Sequence, residues 1–336
     1  MRRLVDRVPQ VGAERLLAEL VPPPRFATVS FSTYCPDPAH STQTAALAGL
    51  AAFAARLTQP AAPRFRFKRG APPESRAGVY LDGGFGVGKT HLLASLWHVA
   101  PGPKAFGTFV EYTNLVGALG FNQTASALSG HKLVCIDEFE LDDPGDTVLT
   151  SSLLNRLVES GVSLAATSNT LPGRLGEGRF AADDFLREIQ GLSAHFDVYR
   201  IDGEDYRHRG LPAAPDPLPE ADVIRAAELA DGWLDSFPDL LAHLVRVHPS
   251  RYGALLDGVD RLHLVGVHAL TDQAAALRLV VLADRLYDRD VPVVASGVPL
   301  DEVFSPEMLH GGYRKKYFRA ISRLVALGHE GAGSAA

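Results

Sequence analysis

Apolar positions along this chain recur at two spacings: short unbroken runs, and longer stretches where they return every three or four residues. From residue 78 the two alternate. The runs predict strands at 79–82, 108–112, 132–136, 162–167 and 197–201, and the stretches between them predict helices at 89–99, 114–120, 146–160 and 182–194. Strands alternating with helices imply a parallel sheet covered on both faces, an α/β architecture. Upstream, the pattern predicts a short amphipathic helix over 11–21, stopped by Pro22, Pro23 and Pro24, and an Ala/Leu-rich helix over 39–57.

Downstream, "LPAAPDPLPE" (211–220) reads as a linker or crossover. After it the pattern predicts helices at 220–231 and 238–247, strand 261–267, helix 272–288, strand 291–295 and a helix over 314–327. The expected organisation is an N-terminal helical segment (1–60), a core (61–210), a C-terminal lid or α/β extension (211–328) and a disordered tail (329–336). At a constant offset of 129, residues 132–172 align without gaps to 261–301, with nine of 41 pairs identical. This points either to a second strand–helix–strand unit of the same shape or to the apolar spacing that any two such units share. In the second copy Gly266 replaces Asp137, Val267 replaces Glu138 and Val298 replaces Asn169.

Composition narrows the function classes. Of 336 residues 46% are hydrophobic and 21% charged, which fits a globular chain with a sizeable core. A net charge of −6 supplies no global field for nucleic acid or an anionic membrane, so no stable nucleic-acid partner and at most peripheral membrane association are expected. "RFRFKRG" (64–70) is read as a solvated edge strand or a local phosphate or partner contact. Two cysteines make no disulfide framework, no run is long enough to span a membrane, and no leader is read at the start. Together these predict a cytoplasmic protein.

The strongest chemistry lies in "GVYLDGGFGVGKTHLL" (78–93), where Gly83-x-x-x-x-Gly88-Lys89-Thr90 fits the phosphate-binding loop in full. Gly83, Gly84, Phe85, Gly86, Val87, Gly88, Lys89, Thr90 and His91 are the candidate nucleotide contacts. Glycines let backbone N–H groups curl around phosphate oxygens, and the following helix adds its positive end. Lys89 is expected on the β- and γ-phosphates, and Thr90 on Mg²⁺. "LVCIDEFE" places Asp137 and Glu138 at the end of a buried strand, Asp137 for the metal and Glu138 to polarise the attacking water. "AATSN" places Asn169 after the next strand, either to hydrogen-bond the water or γ-phosphate or to cap a turn.

These elements in order resemble an AAA+ ATPase. "CIDEFELDDPGD", "TSNTLP", "DYRHR" (205–209), "LADRLYDRDVPVVASGVPLDEVF" (282–304) and "FRAISRL" (318–324) resemble the ZapE/AFG-one-like ATPase family over residues 34–327. "DPAH" (37–40) is similar to that family's D-P-A-Q, with His40 in place of Gln. The resemblance implies a P-loop NTPase of AAA+ type with an α/β C-terminal extension, using ATP and Mg²⁺. It implies work on the FtsZ filament of dividing bacteria, or protein turnover in mitochondrial members, and a homo-oligomer when ATP is bound. The family's finger arginine, thirteen residues after the Asn, is here Ala182. Arg179, one turn earlier, is the replacement candidate and Arg187 the runner-up. Arg319 and Arg323 match a C-terminal R-x-x-x-R, either a γ-phosphate sensor or a basic face beside Lys315 and Lys316. Tyr34 and His40 are candidates near the adenine.

The leading expectation is therefore an ATP hydrolase that remodels a protein partner. A nucleotide-gated loader or scaffold with little turnover is the alternative. An ATP-dependent DNA-binding module is disfavoured by the charge and by the lack of a recognisable DNA-binding helix pair.

Overall fold

The computed structural model describes residues 1–59, 76–84, 86–139, 144–172, 186–203 and 213–333. The chain divides into two compact units: Ala13–Pro22 with Phe26–Arg209, here the P-loop unit, and Met1–Gly12 with Pro23–Arg25 and Gly210–Ala336, here the terminal unit. The first 60 residues thus belong partly to each. Strand 64–70 and "DYRHR" lie outside the described residues.

The P-loop unit is built on five parallel strands: β1 (Gly78–Gly83), β2 (Lys104–Thr108), β3 (Leu133–Asp137), β4 (Ser163–Ser168) and β5 (Phe196–Ile201), in the order β2-β3-β4-β1-β5. Its described helices are α1 (Ala13–Ala18), α2 (Ser41–Thr58), α3 (Lys89–Val99), α4 (Phe109–Leu119), α5 (Phe121–Leu128), α6 (Pro144–Glu159) and α7 (Leu186–Ser193). Period-two alternation builds both faces. Tyr80, Val134, Ile136, Leu164 and Ala166 enter one apolar cluster with α4, α5 and α6, while Val79, Leu81, Leu133, Cys135 and Ala165 enter another with α2 and α3. This is the α/β fold with a helix-flanked parallel sheet that the pattern predicted.

One expected strand is a helix. Residues 109–112 open α4 instead of continuing an extended run, and the strand lies earlier, at β2. The cause is a capping box: Thr108 Oγ1 accepts the Glu111 N–H at 3.3 Å, and the Glu111 carboxylate accepts the Thr108 N–H at 2.6 Å. Phe109, Tyr112 and Val116 then share one buried helical face, so the β-prone residues serve a helix.

The terminal unit carries a three-stranded parallel sheet, β6 (Trp233–Ser236), β7 (Leu262–Val267) and β8 (Val293–Gly297), in sequence order. Around it lie α8 (Glu220–Leu229), α9 (Phe237–Arg246), α10 (Tyr252–Leu255), α11 (Gln273–Asp288), α12 (Pro306–His310) and α13 (Arg314–Gly333). The short strand β6 was not foreseen. The expected tail is also different, because α13 runs on to Gly333. His329 Nε2 lies 3.0 Å from the Ala213 carbonyl, and Glu330 meets Arg25 at 3.1 Å. Gly331 lets the helix press on β8, since a Cβ there would sit 2.3 Å from the Val293 carbonyl oxygen.

The internal alignment has a structural counterpart. β3–α6–β4 and β7–α11–β8 are both parallel strand–helix–strand units, and α6 and α11 begin and end at the same offset. Both helices close alike: Val162 N–H donates to the Leu157 carbonyl and Val291 N–H to the Leu286 carbonyl, each at 3.0 Å. Gly161 (φ 87°) and Asp290 (φ 51°) take the left-handed turn at matching positions. The strand register differs by one residue, Leu133 facing Ser163 while Leu262 faces Val293.

Candidate nucleotide site

The strand order decides where the chemistry gathers. β4 lies between β1 and β3, so the P-loop, the acidic pair and the Asn169 turn leave three adjacent strands at the same edge. That edge of an open parallel sheet is where ligands bind.

The loop from Gly83 to Gly88 turns on two glycines with positive φ, Gly86 (77°) and Gly88 (85°). Tyr34 braces its end. A Cβ on Gly88 would lie 2.5 Å from the Tyr34 ring, and the Tyr34 hydroxyl donates to the Val87 carbonyl at 3.0 Å. His91, one turn into α3, packs edge-on against the same ring and reaches Thr33 Oγ1 at 3.0 Å and the Ser30 carbonyl at 3.2 Å. Tyr34 therefore supports the loop from behind. Below it, buried Asp82 meets Arg200 at 2.6 Å, tying the end of β1 to β5.

Lys89 Nζ donates to the Gly83 carbonyl at 2.9 Å, to the Gly84 carbonyl, and to Asn169 Oδ1 at 2.9 Å. The Thr90 hydroxyl lies 2.9 and 3.2 Å from the two oxygens of Asp137. Asn169 is thus beside the P-loop, as expected if β4 neighbours both strands. Burial, then the charge of Glu138, pushes the Asp137 carboxyl above the ordinary aspartate range; hydrogen bonds from Thr167 and Thr90 and the charge of Lys89 oppose that rise.

Glu138 leaves β3 with φ 55°, a left-handed conformation that costs a non-glycine residue roughly 1–2 kcal/mol. Thr167 holds it there. Its hydroxyl accepts the Glu138 N–H at 3.0 Å and lies 2.5 Å from Asp137 Oδ1. Its carbonyl accepts the Phe139 N–H at 2.6 Å. Sequence reasoning passed over Thr167, whose partners lie on another strand.

The donors suit a magnesium nucleotide. A hydroxyl beside a carboxylate offers the hard oxygens Mg²⁺ takes alongside phosphate and water, and a glycine-rich turn lets backbone N–H groups come close to a phosphate. Among the described residues no cluster of three His, Cys, Asp or Glu forms a separate metal site.

The arginines separate. Arg319 Nη2 meets Asp284 of α11 at 2.8 Å, and Arg323 bonds the other Asp284 oxygen. They are partners of a largely buried carboxylate in the terminal unit, not a solvated basic face. Phe85, Arg179, Ala182 and the side chains of Arg187 and Lys315 lie outside the described residues. His40 begins α2 at its N-cap.

The sequence profile of the AFG1-like ATPases matches residues 10–235 and 220–332. The chain belongs to the AFG1-like ATPase family. This AFG1-like ATPase is 26% identical over 299 residues to the cell division protein ZapE of Escherichia coli K12, covering 75% of this chain and 78% of that relative. It is 27% identical over 186 residues to an uncharacterised protein of Schizosaccharomyces pombe, covering 50% and 41%. Domain III of the replication initiation protein DnaA from Thermotoga maritima aligns with TM-score 0.41 and 17% identity over 69% of this chain and 87% of that one. AMPPCP-bound DnaA from Aquifex aeolicus aligns with TM-score 0.39 and 11% identity over 90% and 97%. No helix among the described residues is long and apolar enough to cross a membrane.

Proposed function

We propose that this chain is a cytoplasmic, Mg²⁺-dependent ATP hydrolase that couples ATP binding and turnover to remodelling of a protein partner. By family resemblance the partner is the FtsZ ring of dividing bacteria, in keeping with the cell-division name of the Escherichia coli relative. The observation that carries the reading is the meeting of Lys89 with Asn169 and of Thr90 with Asp137 at one sheet edge.

MgATP, when bound, supplies the phosphoanhydride that is cleaved and the cation that offsets its charge. The protein's part is positioning and electrostatics. Lys89 and the loop N–H groups hold the phosphates, and Thr90 and Asp137 hold the metal. Glu138 orients the attacking water and takes its proton, and Asn169 fixes Lys89 and the water. Arg179, with Arg187 as runner-up, offers a guanidinium to a neighbouring subunit's site, which makes the active form a homo-oligomer.

Steady-state ATPase assays test this. Glu138→Gln should lower kcat by about 10²-fold or more while nucleotide still binds, and Lys89→Ala should lose both. A wild type without turnover, with or without partner, sinks the hydrolase reading in favour of a nucleotide-gated scaffold. Co-purification with the Glu138→Gln protein identifies the partner, and recovery of no division protein argues against the FtsZ assignment.

A further inference from the structure

We propose that Thr167 is a positioning residue of the hydrolytic centre, joining the Asp137 carboxylate to the backbone that aims Glu138. The proposal rests on the hydrolase reading.

The backbone pairing of β3 with β4 ends at Ile136 and Ala166. Beyond that pair, Thr167 continues the connection with three bonds: its hydroxyl to Asp137 Oδ1, the Glu138 N–H to its hydroxyl, and the Phe139 N–H to its carbonyl. The hydroxyl thus has both roles filled, its hydrogen donated to a carboxylate and its lone pair taken by an amide. With 1% of Thr167 exposed, water has no access to replace it. Phe139 is fully buried, so Glu138 is held between a fixed strand end and a fixed ring. The result is a continuous chain from the P-loop to the base: Thr90 hydroxyl, Asp137 carboxylate, Thr167 hydroxyl, Glu138 backbone.

The second strand–helix–strand unit supplies an internal control. There Ser296 stands at the Thr167 position, and its Oγ accepts at 3.2 Å the N–H of Gly266, the counterpart of Asp137 and so one residue before the counterpart of Glu138. A hydroxyl at this place thus serves the fold in both units by taking an amide. The bond to a carboxylate occurs only in the unit that has Asp137, because Gly266 stands in its place in the other. The second role is separable from the first and belongs to the chemistry.

The test uses the full chain with wild-type, Thr167→Ser and Thr167→Val proteins, ATP and Mg²⁺. Thr167→Val keeps the shape and removes both hydrogen bonds. It should lower kcat at least about 10-fold with KM and fluorescent-ATP affinity within about 3-fold, and Thr167→Ser should stay within about 3-fold of wild type. Unchanged kcat in Thr167→Val overturns the proposal. So does an equal loss in Thr167→Ser, or a fall in kcat matched by equal loss of nucleotide affinity, which marks a structural role only. If wild type does not turn over, the hydrolase reading fails separately. Amide exchange then decides: Thr167→Val should lose protection at Glu138 while Thr167→Ser keeps it, and retained protection in the Val protein overturns the link. Should Thr167→Val fail to fold, Thr167→Ala makes the same comparisons.

Discussion

Single residues set the site by what they exclude as much as by what they bind. Gly88 is the plainest case. Its φ of 85° and the Tyr34 ring 2.5 Å from any Cβ both demand glycine. Gly88→Ala should raise the nucleotide Kd at least about 10-fold with the far-ultraviolet dichroism unchanged, because strain of roughly 1–2 kcal/mol falls on the loop itself. Adding Tyr34→Ala should restore only part, since it relieves the clash and leaves φ; titration with a fluorescent nucleotide separates the two. The gathering of Lys89, Thr90 and Asp137 at one sheet edge was legible because each stands at a strand end or loop that its neighbours in sequence mark. Thr167 was not, because its partners lie 30 and 29 positions away and appear only when β3 and β4 pair. Arg319 and Arg323 read as a γ-phosphate sensor or a basic face for the same reason, their carboxylate being 35 and 39 positions distant.

At the scale of elements, Asp284 joins α11 to α13. Burial alone would raise its carboxyl, but the guanidiniums of Arg319 and Arg323 outweigh that and hold it below the ordinary aspartate range. A depressed folded value means the pair's stabilisation is complete above the unfolded value, about pH 4, and is lost as pH falls through the folded one. Asp284→Asn should therefore destabilise the protein by about 3 kcal/mol at neutral pH, and the difference should shrink on acidification; melting temperatures measured against pH check both. Long amphipathic helices and buried strands were legible from period alone. α4 was misread in its first turn because Phe109, Val110 and Tyr112 are β-prone, and a two-residue capping contact outweighed that preference. The tail was misread because its glycines suggest a loop, whereas Gly331 is what allows α13 to lie against β8.

On the scale of the whole molecule, exposed sheet edges are blunted by distant segments. The Leu20 carbonyl takes the Phe106 N–H of β2, and Leu218 N–H donates to Ala295 of β8. Arg2 bonds Gly232 and Leu234 alongside β6, and Asp235 takes the N–H groups of Leu4 and Val5 at 2.8 and 3.2 Å. Arg2 and Arg7 lie over the Trp233 ring at 4.8 and 5.0 Å, and Leu4 is fully buried in the terminal core. This is why β6 escaped the sequence pattern: half of what makes it a strand is some 230 residues away. Leu4→Ala should cost about 2–4 kcal/mol, read by chemical denaturation. The same closure has a timing of its own. At about 5–20 residues per second on the ribosome, Trp233 follows Leu4 by roughly 10–50 s. Until then Leu4 waits uncovered between Arg2, Arg3 and Arg7, whose charges act as gatekeepers against misassociation. Every residue of the P-loop unit has been made by that time, so that unit can mature first, while the terminal unit closes only when segments made some 230 residues apart meet.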